Sequence, residues 1–313
     1  MFLVCGEALF DFFLRPAADG ALCFDAVPGG SPFNVALGLS RLGQKAEFFS
    51  GLSSDLMGRR LNAFMERENI GAAYAIRSPQ PTLLSIVALN ADGGPDYAFY
   101  GDYPAYRAIT EAELPVLGSE IGIIHMGSIA TALEPVASAL AALAERECGR
   151  RLIAYDPNVR PSIEPDLDVW RRTFQRLTVA AHITKVSAED LELLYPGVTH
   201  EDTARQLLGR GARLVVITRG GEGASGWTRN SQAASAARPV DVVDTVGAGD
   251  SYQAALLAGL AEMGCADPQA LDALGQDALA RLLDFAGQAA ALTCGKRGAD
   301  LPRRDAIGMT LVR

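Results

Sequence analysis

Short apolar runs alternate with longer amphipathic segments along this chain, and this alternation constrains the fold more than any other feature. The apolar runs predict buried strands, most of which end at Gly, Ser, Asp or Asn: residues 2–10, 46–52, 121–129, 151–158, 182–187 and 213–220. The segments between them have apolar residues at helical spacing and a terminal glycine suited to a helix C-cap: residues 34–43, 133–149 and 201–211. We therefore expect an α/β fold of three layers, in which helices flank a mostly parallel central sheet. Functional groups in such a fold gather at the carboxyl ends of the strands.

Two stretches interrupt this alternation and have hairpin character. Residues 11–30 and about 81–106 contain extended runs separated by the turn sequences ADG and ADGG. Such inserts would form a small separate β-sheet over the strand ends, which is the geometry of a lid. Because we find no linker, low-complexity tract or internal repeat, we expect residues 1–313 to form a single domain.

Charge and composition limit the classes of partner and location. The formal net charge of −9 argues against nucleic acid, although a few local amides and cations can still hold a small anion. The first residues lack a basic region and include Glu7 and Asp11, so they predict a buried strand and not a signal peptide. No apolar run is long enough for a membrane span. Five scattered cysteines without a C-x-x-C pair favour the reducing cytoplasm and no structural zinc site.

One segment, DTVGAGDSYQAALLAGL (244–260), places two glycines and an aspartate before a run of small apolar residues. The run predicts a buried helix, and the preceding PVDVV (239–243) predicts a short strand. A helix N-terminus attracts anions, and glycines let its amides approach a ligand closely. Asp250 suits two roles there, an N-cap of the helix or a functional carboxylate.

This segment resembles the C-terminal signature, D-T-x-G-A-G-D, of the ribokinase-like (PfkB) carbohydrate kinases. PGGSPFNVALGLSRLG (28–43) resembles the other signature of that family, a Gly-Gly pair followed by Asn and a helix. Four further segments are similar to family motifs: GLSSDLMG (51–58), DPNVR (156–160), KVSAED (185–190) and TRGGEG (218–223). The resemblance covers essentially the whole chain, and within the family it is greatest to bacterial fructokinases.

The resemblance implies a ribokinase-like fold and transfer of the γ-phosphoryl group of ATP to a sugar hydroxyl. Asp250 would be the base that accepts the hydroxyl proton, Arg160 would touch the phosphate, and the amides of Gly247, Ala248 and Gly249 would form an anion hole. The implied sugar-binding residues are Asp11, Gly29, Gly30, Asn34, Phe99 and Arg107. Without the resemblance, Asp11 would be read as a turn aspartate after the first strand.

The resemblance also implies a nucleotide site and metal ions. The residues expected beside ATP are Lys185, Ser187, Thr218, Gly220 and Gly223, together with Gly247 and Gly249. Lys185 suits a salt bridge to Glu189 or Asp190 nearly as well. Mg²⁺ is expected through water at Asp190, which stands where the family has Glu, and K⁺ at backbone carbonyls of Asp244 and Val246.

Three functions remain open from the sequence. A fructokinase comes first, and a kinase of 2-keto-3-deoxygluconate or of another ketose or polyol second. The sugar acid would need a cation near the sugar, for which Arg107 is the only obvious lid residue, and Tyr106 stands where similar kinases carry a small or acidic residue. A non-catalytic sugar-binding module comes third, and the intact Asp250 motif argues against it. An exposed lid sheet also favours a homodimer formed through that sheet.

Overall fold

The structure, a computed structural model, describes residues 1–15, 21–89 and 95–311. In chain order its strands are β1 (Phe2–Cys5), β2 (Leu9–Arg15), β3 (Cys23–Gly29), β4 (Ala46–Phe49), β5 (Gly51–Ser53), β6 (Ile76–Ser78), β7 (Leu83–Leu89), β8 (Pro95–Tyr100), β9 (Ile123–Gly127), β10 (Leu152–Asp156), β11 (Ile183–Ser187), β12 (Leu214–Thr218), β13 (Ala224–Trp227) and β14 (Gln232–Ser235). Its helices are α1 (Ser31–Arg41), α2 (Leu56–Arg67), α3 (Val136–Glu147), α4 (Leu167–Ala180), α5 (Ala188–Leu194), α6 (His200–Arg210), α7 (Ala248–Glu262), α8 (Pro268–Asp272) and α9 (Gln276–Cys294).

A central sheet with the order β14-β13-β12-β11-β10-β9-β1-β4 forms the middle layer. Its strands from β12 to β4 pair in parallel, and β13 and β14 are added antiparallel at one edge. Side chains alternate between two buried cores, so that Ile123 of β9 faces α1, α7 and α9 while Ile124 faces α3 and α4. Two covered faces explain why the parallel strands read as continuous apolar runs, and the expected three-layer fold is confirmed.

Helix α7 is buried along nearly its whole length, from Asp250 to Leu260. It packs against α1 on one side and α9 on the other, and small residues let these neighbours approach closely. At Gly259, for example, an added Cβ would lie 2.7 Å from a Leu282 methyl carbon. Because α7 is closely packed between α1 and α9, its N-terminus is held in one position. The site forms at this N-terminus.

A second, smaller sheet has the order β3-β2-β7-β8, and β5 and β6 form a separate pair. The strands of the four-stranded sheet come from the two stretches with hairpin character, so the expected small sheet is confirmed. The ADG and ADGG turns lie at residues 18–20 and 91–94, outside the described residues.

Two predicted strands are broken, and a third is absent. Residues 2–10 form β1 and then the start of β2, because Gly6 turns the chain at φ +148°. Residues 46–52 divide into β4 and β5, and Gly51 lies so close to the Ala105 carbonyl oxygen that a Cβ would stand 2.0 Å from it. The strand predicted at 239–243 is wrong, since this segment is an irregular loop with exposed valines. Among the described residues, no helix is both long and apolar enough to cross a membrane.

Candidate active site

A cavity of about 940 Å³ lies at the carboxyl ends of the parallel strands, beside the small sheet. Residues at or just beyond the carboxyl ends of β1, β9, β10 and β11 line it, as expected for an open α/β sheet: Glu7, Ser128, Asn158 and Ser187. The volume suits a small-molecule site. The cavity extends from β2 and α1 at one end to the β12–β13 connection and α9 at the other, so it offers room for two ligands side by side.

The N-terminus of α7 opens into the middle of this cavity. Gly247 precedes the helix in the left-handed conformation at φ +78°, and a Cβ there would lie 2.6 Å from that of Ala299. Both facts require glycine. The first-turn amides of a helix lack helical partners and carry partial positive charge, so the mouth suits an anion. The Ala248 amide also donates to the Thr245 carbonyl at 3.2 Å, which tightens the turn.

Asp250 is the third residue of α7 and does not cap it, since Gly247 occupies the N-cap position. Its carboxylate instead accepts hydrogen bonds from the Ser31 hydroxyl at 2.6 Å and from Asn34 Nδ2 at 2.8 Å, both on α1. Burial raises the pKa of Asp250 above its ordinary value, although these two hydrogen bonds and the charge of Lys185 act to lower it. The result is a rigidly held carboxylate with enhanced affinity for a proton.

Lys185 lies beneath the helix mouth in a buried ion pair. Its Nζ is 2.8 Å from Asp156 Oδ2, and neither of the partners considered from the sequence, Glu189 or Asp190, forms this contact. The ammonium group is 3.3 Å from the position that a Cβ would take on Gly249. Burial acts to lower the pKa of Lys185, but Asp156 and the neighbouring carboxyl groups hold it above its ordinary value. A permanent positive charge therefore lies directly under the mouth of α7.

Asp190 is a buried residue of α5 that also lines the cavity. Its Oδ1 accepts the Val159 amide at 3.0 Å, and its own amide donates to the Ser187 hydroxyl that caps α5. Burial and the charge of Asp156 raise the pKa of Asp190. The Oδ1 atom of Asp156 is buried and has no hydrogen-bond partner among the described residues. Asp156 and Asp190 thus both lie near enough to Lys185, beneath the mouth of α7, to raise its pKa.

At the end of the cavity near the small sheet, Asp11, Gly30, Asn34 and Phe99 are brought together. Gly29 makes room for Asp11, because a Cβ on it would lie 2.2 Å from Asp11 Oδ2. Burial and the charge of Asp250 raise the pKa of Asp11 to about 6. The Oδ1 atom of Asn34 is buried and has no hydrogen-bond partner among the described residues, so it is an unsatisfied acceptor.

At the opposite end, the segment after β12 and one face of α9 line the cavity. The lining includes the predicted residues Thr218, Gly220 and Gly223, and also Gly287 and Cys294. Gly223 has φ +91°, and a Cβ there would lie 2.0 Å from the Ser235 carbonyl oxygen. Arg160 lines the cavity from an exposed position.

The structure does not bring Arg107 into the cavity. Its Nε donates to the Glu134 carbonyl at 2.8 Å, and its guanidinium group lies 5.7 Å from the ring centre of Tyr103. Tyr106 is buried against Gly51 and Leu83 and does not line the cavity either. Arg107 therefore has no position from which to neutralise a bound anion.

The loop before α7 is held by Asp244. Its carboxylate accepts the amides of Val246 at 3.0 Å and Gly298 at 2.8 Å. Val246 lines the cavity and Asp244 does not. Among residues 1–15, 21–89 and 95–311, no group of three or more His, Cys, Asp or Glu side chains is placed to hold a metal ion by itself.

Several polar residues of the cavity were not predicted from the sequence, among them Glu7, Ser31, Ser128 and Asn158. Ser31 directly follows the Gly-Gly pair and is one turn before Asn34, and this spacing was the signal for its contact with Asp250. Ser128 and Asn158 adopt positive φ values of 60° and 41°, and Asn158 Nδ2 donates to Ser128 Oγ at 3.4 Å. Backbone strain of this kind is concentrated at functional sites, but no sequence pattern predicts it.

A buried carboxylate at a helix mouth, between a polar end with carboxylate and amide groups and a glycine-lined end, suits phosphoryl transfer to a small polar acceptor. The sequence matches the family described as pfkB family carbohydrate kinase over residues 3–306. The chain therefore belongs to the pfkB family of carbohydrate kinases, and the resemblance seen in its motifs is confirmed.

Individual relatives agree with this assignment. The chain is 38% identical over 260 residues to a fructokinase of Rhizobium leguminosarum bv. trifolii, covering 83% of this chain and 79% of the relative. It is 33% identical over 302 residues to Fructokinase-1 of Oryza sativa subsp. japonica, covering 94% and 91%. The crystal structure of fructokinase from Vibrio cholerae O395, bound to fructose, ADP and calcium ion, superposes with a TM-score of 0.84 at 24% identity and covers 99% and 98% of the two chains. This last likeness supports the ribokinase-like fold.

Proposed function

We propose that this protein is an ATP-dependent fructokinase, which transfers the γ-phosphoryl group of ATP to a hydroxyl group of fructose. The observation that carries the proposal is the placement of Asp250. Its carboxylate is held by α1 at the mouth of α7, between Asp11 and Asn34 on one side and Thr218 and the glycines on the other. The curated relatives of greatest similarity reported above are fructokinases.

In the reaction, a sugar hydroxyl attacks the γ-phosphorus, the bond to the ADP oxygen breaks, and Asp250 accepts the hydroxyl proton. The amides of Gly247, Ala248 and Gly249 would stabilise the charge of the transferring group, as oriented dipoles do without reorganisation, and the Ala248 amide would share its hydrogen atom with the Thr245 carbonyl. Lys185 adds a fixed charge from below, and Arg160 contacts the phosphate from the exposed side. Such chemistry depends on positioning and electrostatics more than on covalent catalysis.

Asp11, Gly30, Asn34 and Phe99 bind the sugar, with Gly29 leaving room for the Asp11 carboxylate. This end of the cavity favours a neutral acceptor, because it combines the carboxyl groups of Glu7, Asp11 and Asp250. The alternative acceptor, 2-keto-3-deoxygluconate, carries a carboxylate that needs a cation, and Arg107 is engaged elsewhere. A purely binding module would have no use for a base at the helix mouth.

The residues beside ATP are Lys185, Ser187, Thr218, Gly220 and Gly223, with Gly247 and Gly249 at the phosphates. The donor set fits Mg²⁺, because Asp190 supplies a hard carboxylate oxygen to the cavity lining and the buried Oδ1 atom of Asp156 has no hydrogen-bond partner among the described residues. Mg²⁺ would be held by Asp190 through water and would neutralise phosphate charge. K⁺ would bind carbonyls of Asp244 and Val246, in the loop that the Asp244 carboxylate fixes.

We also propose that residues 1–313 form one kinase domain, with 11–30 and 81–106 as its lid. Strand β3 is an edge of the small sheet and, with β2, exposes the apolar side chains of Val27 and Leu14. An edge of this kind suits pairing with a second copy, so we propose a homodimer through the small sheet.

All five cysteines lie in described parts of the chain and are unpaired, which suits the reducing cytoplasm.

A substrate panel tests the proposal. Purified protein with ATP and Mg²⁺ is assayed for ADP release with fructose, other ketoses, aldoses, polyols and 2-keto-3-deoxygluconate, and kcat/KM is compared. Fructose should give the highest value. A preference for the sugar acid would replace the first function by the second, and no turnover of any acceptor would refute both.

A further inference from the structure

Glu7 is a buried carboxylic acid that the reaction described above does not use. It lies between β1 and β2, lines the sugar end of the cavity and is only 1% exposed. Its Oε2 accepts the Ala130 amide at 3.2 Å, and its backbone carbonyl oxygen lies 2.7 Å from the position a Cβ would take on Gly30. Glu7 is therefore fixed between the turn after β9 and the start of α1.

None of the groups that face Glu7 carries a positive charge. They are Asp250 from α7, Ser128 and the Ala130 amide from the turn after β9, and the Tyr106 ring from the segment after β8. Among the described residues, no lysine or arginine forms an ion pair with Glu7; nearby Lys185 is bound to Asp156. Burial and, to a smaller extent, the charge of Asp250 raise the pKa of Glu7 to about 7, although hydrogen bonds from Ser128 and Ala130 act to lower it.

The hydrogen-bonding needs of a sugar give this neutral acid a use. The carboxylates of Asp11 and Asp250 and the free Asn34 Oδ1 are all acceptors. A ketose has hydroxyl groups that satisfy them, but it also has oxygen lone pairs, including those of its ring or carbonyl oxygen, that need donors. A protonated carboxyl group is a donor, whereas an ionised one is only a further acceptor.

We propose that Glu7 is a specificity-determining residue of the sugar site, whose neutral carboxyl group donates a hydrogen bond to an oxygen of the bound substrate. This inference rests on the proposed sugar kinase function and adds a proton-dependent contact to it. Ionisation of Glu7 removes the donor and places a third carboxylate beside Asp11 and Asp250. Sugar binding should therefore weaken as the pH rises through neutrality.

The test compares the sugar KM of the wild-type protein with that of two variants at pH 6, 7 and 8, under saturating ATP. Glu7→Gln keeps a neutral donor of the same shape, and Glu7→Leu removes it. If only the neutral acid binds sugar, the wild-type KM should rise about tenfold from pH 6 to pH 8, given a pKa of about 7. The Glu7→Gln KM should stay near the wild-type value at pH 6 throughout. The Glu7→Leu KM should be high at every pH.

Three controls keep the result interpretable. The KM for ATP should be the same in all three proteins at each pH, which shows that the variants fold and that ATP ionisation is not the cause. Glu147→Gln changes another buried glutamate, one paired with Arg146 and Arg151 away from the cavity, and should keep the wild-type pH dependence. A pH-independent sugar KM in the wild type, or the same rise in Glu7→Gln, would overturn this inference while leaving the kinase function intact. Absence of turnover in the wild type would instead refute the kinase function.

Discussion

Replacement of Asp250 by Asn tests the chemistry of the site with minimal change in shape. The amide cannot accept the sugar proton, and loss of a general base costs roughly 10²- to 10⁴-fold in rate. This corresponds to about 3–5 kcal/mol of transition-state stabilisation. We expect kcat to fall by that factor, while the dissociation constant for fructose changes only a few-fold.

The surroundings of Asp250 explain why the variant should fold normally. Asn34 Nδ2 now donates to the carboxylate, but Asn34 Oδ1 has no partner among the described residues. The Asn34 amide can therefore turn over and accept a hydrogen bond from the new side chain, and the Ser31 hydroxyl can still donate to its oxygen. The substitution also removes a buried charge, so the free energy of unfolding should change by no more than about 1 kcal/mol.

The assay is ADP release with saturating fructose and ATP, combined with calorimetric titration of fructose binding. Asp166→Asn is the matched control, because Asp166 caps α4 by accepting the Asp168 amide at 2.9 Å, away from the cavity. It should keep wild-type kcat at a small cost in stability. A kcat for Asp250→Asn within fivefold of wild type would refute Asp250 as the base.

Three further substitutions test the structural account. Glu7→Gln should stabilise the protein more at pH 8 than at pH 4.5. Folding raises the pKa of the Glu7 carboxyl group from 4.5 to about 7, so the wild type loses about 3 kcal/mol of folding stability as the pH rises through that window. An equal difference in the free energy of urea unfolding at both pH values would contradict this. Lys185→Met leaves Asp156 buried and unpaired and should lower the free energy of unfolding by about 3–5 kcal/mol. The double variant Lys185→Met, Asp156→Asn should lose less stability than Lys185→Met alone. Additive losses would show that the two residues are not coupled. Gly247→Ala should lower both stability and kcat because of its φ of +78° and the contact with Ala299. The control Gly209→Ala, in α6 away from the cavity, adds a Cβ that meets nothing within 4 Å and should be neutral or stabilising. Wild-type kcat in Gly247→Ala would contradict the required turn.

The parts of the fold that follow from local patterns were predictable. The alternation of apolar runs and amphipathic segments predicts the parallel strands and most of their helices, because each strand is covered on both faces. The strand predicted at 239–243 was wrong, because its valines suit a strand but have no neighbouring strand to pair with, and Val240 and Val242 line the cavity instead. β-propensity reflects a packed environment, which a short sequence cannot supply.

The site was predictable only where a motif carried it. The motifs located Asp250, Asn34 and the glycines, and the structure brings them to one cavity. They did not reveal that Lys185 pairs with Asp156, 29 residues earlier, because that contact depends on the register between the adjacent parallel strands β10 and β11. The burial of Glu7 was equally hidden, since it arises from the approach of α7 and of the turns after β8 and β9.

Direct product analysis tests the central claim most simply. Purified wild-type protein is incubated with fructose, ATP and Mg²⁺, and phosphorus NMR follows the nucleotide and any new phosphate ester. We predict that a fructose phosphate and ADP appear in equal amounts, at a rate that Asp250→Asn reduces at least a hundredfold. Release of inorganic phosphate without a sugar phosphate, or no consumption of ATP, would contradict the proposed fructokinase function.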